Sequence, residues 1–326
     1  MKNFEYAAPH DAREAASLLG SDWKTARLIG GGTDLLDQLK ERTVETGRIV
    51  HLHAAPLNYV RLNRGSVVIG ATTTLATIES DPIIKANLPG LMEAAASIAT
   101  PQIRNVGTLG GNLCQRPRCW YYRNAEFPCL KKGGDICFAH EGANKYNAIL
   151  GGGPSYIVHP SDTAPMLVAF GASVRLVSPR GERTVPLERF FQLPADNLDR
   201  ENVLTPDEVL VEVIIPRPPA GTRSAYYKIK ERETQDFALA SAAVVLSMDG
   251  DRVRGVRIVM GGVAPIPWRS NEAEAVLKGK PLTEAAARSA AEAALKDAAP
   301  LSDNAYKVSL AKTAVHRAVM AAAGQA

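Results

Sequence analysis

The chain has 326 residues, 46% hydrophobic and 22% charged, with 26 glycines and 21 prolines. That is the composition of a globular protein long enough for two or three domains. A net charge of +4, from 38 bases and 34 acids, comes without a block of like charge and implies no nucleic-acid partner, and no run of about 18 apolar residues encodes a membrane span.

Taken in order, the start Met-Lys-Asn-Phe-Glu-Tyr has no apolar stretch and reads as a mature N-terminus. Asp11 is placed to cap a helix over residues 12–19, with Ala12, Ala15, Ala16 and Leu19 on one face. Residues 26–29 form a short strand candidate that runs into Gly30-Gly31-Gly32-Thr33-Asp34 and a helix from Leu35 to about Arg42. Strand, glycine turn and helix together aim backbone N–H groups at an anion, and glycine admits a phosphate where a Cβ would block it. The turn lacks the third glycine of G-x-G-x-x-G and the Gly-Lys-Ser/Thr end of a P-loop, so alone it reads as a tight turn. A second glycine turn, Thr108-Leu109-Gly110-Gly111-Asn112, reverses that reading, because two such turns can clamp one pyrophosphate.

Residues 48–52 and 66–70 are strands; His51 and His53 alternate with apolar neighbours and read as surface-facing strand residues rather than metal ligands. Helices are expected over residues 74–80 and 88–99, the second stopped at Thr100-Pro101. All four cysteines, Cys114, Cys119, Cys129 and Cys137, then fall within one short segment. Buried free thiols are usually scattered, and disulfides need an oxidising compartment, so crowding of this kind favours metal or Fe–S ligation. Further on, residues 173–178 and 184–187 read as a hairpin, and residues 241–248 and 253–260 pair around Asp249-Gly250-Asp251. Residues 216–221, with three prolines, form the best linker and set a division into 1–219 and 220–326. Residues 283–298 and 304–323 are Ala-rich amphipathic helices expected to pack on their own sheet.

Several of these stretches together resemble a known family. They are Ile29 through Leu36, Gly70-Ala71-Thr72, Ile103 through Asn112, His159-Pro160-Ser161-Asp162, residues 208–213, Tyr227-Lys228, Arg232 and residues 236–241. They resemble the FAD-binding medium subunit of molybdenum hydroxylases, the xanthine dehydrogenase, carbon monoxide dehydrogenase and aldehyde oxidoreductase group, over nearly the whole chain. The resemblance implies an α/β (α+β) fold: a two-subdomain FAD-binding domain of vanillyl-alcohol-oxidase type, with a C-terminal α/β domain like that of the carbon monoxide dehydrogenase flavoprotein covering the flavin side. By position, it implies that Ile29, Gly30, Gly31, Gly32, Thr33, Asp34 and Leu35, with Thr108, Gly111 and Asn112, hold the pyrophosphate. Asp162 matches an acidic residue near the ribityl–phosphate stretch, and Leu210 and Lys228 match positions lining the adenine and flavin ends. Taken as residues alone, Asp162 is also a good N-cap, Leu210 a strand core residue and Lys228 a solvated lysine.

The cysteine segment, about residues 113–156, is similar to the branch with an added [4Fe–4S] cluster, which includes 4-hydroxybenzoyl-CoA reductase and the periplasmic type of aldehyde oxidoreductase. That likeness implies ligation by Cys119, Cys129 and Cys137. The fourth ligand place falls on Ser155, leaving Cys114 as a substitute thiolate slightly preferred over Ser155. Also implied are a large molybdopterin subunit, a small [2Fe–2S] subunit and an external electron acceptor. The expected compartment is the cytoplasm, or the periplasm by export with a signal-bearing partner. No general base or nucleophile for substrate chemistry is visible, in keeping with a flavin doing the chemistry. Two rivals stay open: a self-contained FAD oxidoreductase with a structural four-cysteine zinc site, and a non-enzymatic cysteine-rich scaffold.

Overall fold

A computed structural model describes residues 1–325. The first sheet is small and parallel, in the order β1 (Glu5–Ala7), β3 (Arg48–His51), β2 (Ala26–Ile29). Helix α1 (Ala12–Ser17) backs it, with Asp11 accepting from the N–H groups of Arg13 and Glu14. Helix α2 (Leu35–Lys40) follows β2. His51 accepts from or donates to the Tyr6 hydroxyl at 2.7 Å and stacks on His53.

The second sheet is antiparallel, in the order β4 (Val60–Asn63), β5 (Ser66–Gly70), β8 (Val209–Pro216), β6 (Ser173–Ser178), β7 (Gly181–Pro186). Val177, Val209 and Val211 of this sheet meet Ala15, Ala16, Leu19, Ala26 and Val50 in one core that joins the two sheets. Between β5 and β6 run α3 (Leu75–Ser80), α4 (Pro82–Asn87), α5 (Pro89–Ala96), α6 (Pro101–Val106), α7 (Leu109–Cys114), α8 (Trp120–Arg123) and α9 (Thr163–Ala169). The helix expected over 88–99 is α5, ending at Ala96, and a separate short helix, α4, precedes it. Each starts with proline in its first turn, and Leu88 between them lies at φ −139, ψ 52. Ala99, at φ 42, closes the region in a left-handed turn.

The third sheet runs β12 (Trp268–Arg269), β11 (Arg252–Gly261), β10 (Ala240–Asp249), β9 (Arg223–Ile229), all antiparallel. Helices α10 (Asn271–Leu277), α11 (Glu284–Ala294) and α12 (Tyr306–Ala323) cover one face, with Val315 and Val319 packed near Ala242, Val244 and Leu246. The other face meets α5 and α9, and Tyr226, Ala243 and Val259 join their core. Coverage on both faces explains why β10 reads as a nearly continuous apolar run rather than an alternation. Each fully buried aliphatic side chain there contributes about 1.5–3 kcal/mol. Both expected hairpins form, β6–β7 and β10–β11.

The C-terminal segment returns to the middle of the chain. Lys307 Nζ, buried, donates to the carbonyls of Tyr146, Asn147 and Gly262, and Asn304 Nδ2 to those of Asn147 and Ala148. Asn144 is tied to Ser302 and Asp303. No described helix is long and apolar enough to cross a membrane.

Candidate functional site

Both glycine turns line one cavity of about 560 Å³, which also touches Asp162 and Leu210 on β8, the central strand of the second sheet. The turns pack directly on each other. A Cβ on Gly31 would lie 1.7 Å from the Val106 carbonyl oxygen, and one on Gly30 2.6 Å from Thr108 Oγ1. Glycine at 31 is therefore required by contact between the turns. Gly111 differs: a Cβ there would meet only Thr108 Oγ1, at 3.0 Å, and the residue is exposed to the cavity. Thr108 Oγ1 accepts from Gly111 N, so the second turn is the first turn of α7 rather than a loop.

Among the described residues, no backbone carbonyl accepts from the N–H groups of Gly31, Gly32, Thr33 or Asp34. That row of donors beside a cavity fits the diphosphate of a dinucleotide cofactor. Ile29, Gly30, Thr33 and Leu35 complete the first wall. Asn112 is buried, its Oδ1 accepting from Ser161 Oγ and Thr163 Oγ1, both at 2.6 Å. The His-Pro-Ser-Asp stretch is thereby locked against the second glycine turn.

Asp34 also lines the cavity, but its carboxylate is turned to the cysteine segment. It pairs with Arg118 at 3.0 Å and with Arg123, and accepts from Arg116 N at 2.9 Å. A free carboxylate here would repel phosphate; held this way, it fastens the cysteine segment to the first glycine turn.

At another part of the cavity wall, Asp162 occupies the N-cap position of α9 without capping it; Ser161 Oγ takes the Ala164 N–H instead. The Asp162 carboxylate accepts from Tyr226 Oη at 2.6 Å and Lys228 Nζ at 2.7 Å, all three side chains buried. Lys228 also donates to Ser97 O, so it is a buried partner and not a solvated lysine. Burial and the Asp162 charge push the Tyr226 phenol well above its ordinary range, keeping it a neutral donor.

The cavity has a third, cationic wall. Arg116 Nε lies 2.7 Å from Glu201 Oε2, an ion pair out of line for a hydrogen bond, and Lys131 Nζ lies 2.8 Å from Glu201 Oε1. Against the upward push of burial, Arg116 and Lys131 hold Glu201 below the usual carboxylate range. Arg27 and Arg200 join them, Arg200 3.4 Å over the Trp23 ring and Arg27 5.5 Å from its centre. Burial and the neighbouring guanidiniums push Arg200 down to about 9 and Arg27 to about 10.

Of the cysteines, Cys114 stands apart. It ends α7, packs on the main core and lines the cavity, and burial pushes its thiol up to about 12. Cys119, Cys129 and Cys137 belong to the fastened segment. Lys132 lies near both Cys119 and Cys129, Cys129 bridges to Ile136 next to Cys137, and Asn147 Nδ2 reaches Cys119 Sγ at 3.7 Å and Tyr156 O at 3.0 Å. Ser155 is buried beside that last contact. The three thiols of this segment are the soft donors that an iron–sulfur cluster takes, whereas the Ser155 hydroxyl is a harder one. Among the described residues, however, no three His, Cys, Asp or Glu side chains converge into a metal-holding group. A second cavity of about 400 Å³ connects the two regions, lined by Cys119, Trp120 and Tyr146 on one side and by Asp162 on the other.

Sequence reasoning passed over Tyr226, Arg27 and Arg200. The signal for the first two was strand alternation: Tyr226 shares a face of β9 with Lys228, and Arg27 a face of β2 with Ile29. Arg200 sits in an irregular stretch with no periodicity to read.

Comparison with known proteins agrees with this geometry. The chain is 35% identical over 324 residues to the carbon monoxide dehydrogenase medium chain of Hydrogenophaga pseudoflava, covering 98% of this chain and 96% of that one. It is 31% identical over 330 residues to an aldehyde oxidoreductase FAD-binding subunit of Escherichia coli, covering 100% of both. A solved structure of carbon monoxide dehydrogenase from Hydrogenophaga pseudoflava superposes with a TM-score of 0.79 at 34% identity, over 99% of this chain and 98% of that one. Residues 225–322 match the CO dehydrogenase flavoprotein C-terminal domain, and residues 2–218 match the FAD binding domain in molybdopterin dehydrogenase. The chain belongs to the family of FAD-binding subunits of molybdopterin dehydrogenases.

Proposed function

We propose that this chain is the electron-transfer subunit of a molybdenum-dependent oxidoreductase of aldehyde or xanthine dehydrogenase type, holding FAD in the cavity and a [4Fe–4S] cluster in the cysteine segment. The observation that carries the reading is the pair of glycine turns facing one cavity, with unpaired backbone N–H groups along it. FAD held here would supply two-electron redox chemistry toward an external acceptor. This chain's residues do the rest. The N–H groups of Gly31 to Asp34 bind the diphosphate, Thr108 and Asn112 fix the second turn, and Leu210 gives an apolar contact. Asp162, held in place by Tyr226 and Lys228, presents a fixed carboxylate at the cavity wall.

The partners are a large molybdopterin-binding subunit and a small [2Fe–2S] subunit; substrate is oxidised on the large subunit. The relative named as a medium chain supports this assembly. The cluster half rests on Cys119, Cys129, Cys137 and buried Ser155 lying in one segment pinned to the flavin cavity by Asp34. The test is visible absorption with flavin, iron and acid-labile sulfide analysis of anaerobically purified full chain. One FAD per chain with iron and sulfide in the cluster's ratio is expected. Flavin with zinc in place of iron removes the cluster, and colourless protein that takes up no added FAD overturns the whole reading.

A further inference from the structure

The cationic wall holds two arginines that no carboxylate pairs with. Glu201, beside Arg116 and Arg200, is already held by Arg116 and Lys131, and Asp22, the acidic neighbour of Arg27, makes no ion pair with it among the described residues. The next carboxylate within reach, Asp34, is taken by Arg118 and Arg123. Among the described residues, neither the Arg27 nor the Arg200 guanidinium has an ion-pair partner, and Arg27 Nε is buried without any acceptor. Both line the cavity that holds the glycine turns. Strand β2 brings the first there: Arg27 lies between Ala26 and Leu28, which pack on the core shared with α1, and the whole strand borders the cavity. Trp23 beneath both guanidiniums keeps them stacked and pre-positioned while their outer N–H groups stay free.

Unpaired guanidiniums crowded against like charge are unfavourable in the empty protein. They persist where an anion completes them, and arginine forks match phosphate oxygens in particular. We propose that Arg27 and Arg200 form a phosphate-binding subsite of this cavity, neutralising a phosphoryl group that the backbone donors of the glycine turns alone would hold only by dipoles. The group comes either from the diphosphate of bound FAD or from a second phosphate-bearing molecule seated beside it. The inference rests on the flavin reading above.

The experiment uses the full chain, stripped of flavin and titrated with FAD and with riboflavin, which lacks phosphate, by flavin fluorescence at two ionic strengths. Arg27→Gln and Arg200→Gln are compared with wild type, and Arg27→Lys serves as the charge-conserving control. If the FAD diphosphate is the ligand, each Gln variant weakens FAD binding by about tenfold or more, leaves riboflavin binding unchanged and flattens the salt dependence, with partial rescue by Lys. If the phosphate belongs to a second molecule, FAD binding is unchanged but the holoprotein's affinity for inorganic pyrophosphate or ADP falls by a similar factor. In either case both Gln variants raise the melting temperature of the apoprotein, because each removes a repulsive charge. FAD, pyrophosphate and ADP binding all within twofold of wild type in both variants overturns the subsite. A wild-type chain that binds neither FAD nor riboflavin instead overturns the flavin reading on which it stands.

Discussion

At the scale of single residues, the two glycine turns divide their labour. Gly31 has a carbonyl oxygen 1.7 Å from where its Cβ would be, and Gly111 has almost nothing there. Gly31→Val must push the two turns apart and is expected to destabilise the chain by about 3 kcal/mol or more. Gly111→Val keeps the fold and loses the cofactor. Melting temperature and flavin-to-protein ratio, measured on both, separate the two cases; equal flavin content in Gly111→Val and wild type would remove that glycine from the binding site. The same scale bears on the choice between Cys114 and Ser155. Cys114 ends α7 and packs on the main core, whereas Ser155 is buried by Tyr156 and Asn147, the latter reaching Cys119. On the proposed cluster reading, Cys114→Ala is expected to leave iron content intact and Ser155→Ala to speed iron loss in air, read by iron analysis over time; iron loss in Cys114→Ala alone would favour Cys114 as the fourth ligand. The first glycine turn was legible because glycine after a strand is a local signal. The reason for Gly31 was not, since it depends on Val106, far along the chain.

Among the elements, α12 does more than cover its sheet. Its buried Lys307 ties three carbonyls, two of them in the stretch that carries Asn147 to Cys119. Burial pushes this lysine down to about 7 from an ordinary 10.5. The folded state thus binds fewer protons than the unfolded chain between those values, so stability rises with pH across about 7 to 10.5, by up to roughly 1.4 kcal/mol per unit. Below pH 7 both states are protonated and the burial penalty is at its full value. Lys307→Met lacks the effect, so the stability of wild type relative to it should climb from pH 7 to 10 in denaturant titrations; a flat difference would show the lysine unperturbed. The amphipathic pattern of α12 was readable from sequence, and so were both hairpins. Helix α4 was missed because six residues carry too little helical periodicity to stand out, and the tertiary use of Lys307 leaves no mark on helical periodicity.

For the molecule as a whole, the telling contact is the one that joins the third sheet to the rest. Lys228 and Tyr226, on β9, reach across to Asp162 ahead of α9, while Tyr226 N donates to Glu93 and Ser224 Oγ accepts from Gly90 N on α5. Lys228→Met strands a buried carboxylate and is expected to cost about 3–5 kcal/mol, with much of it recovered in the double variant Asp162→Asn/Lys228→Met. Thermal unfolding of the single and double variants checks it; equal losses in both would deny the pairing. The family resemblance pointed to Asp162 and Lys228 separately, and only the folded chain shows them bonded to each other. Asp162 also belongs to the cavity wall, so the region that completes the carboxylate's environment is remote in sequence from the turns that grip the ligand. A ligand that fills the cavity of the folded chain thereby also favours the docked third sheet, since both depend on Asp162 being in place. On the flavin reading, vitamin supply then acts on this chain as a maturation factor: scarcity of FAD lowers how many copies stay folded before it alters what any finished copy can do.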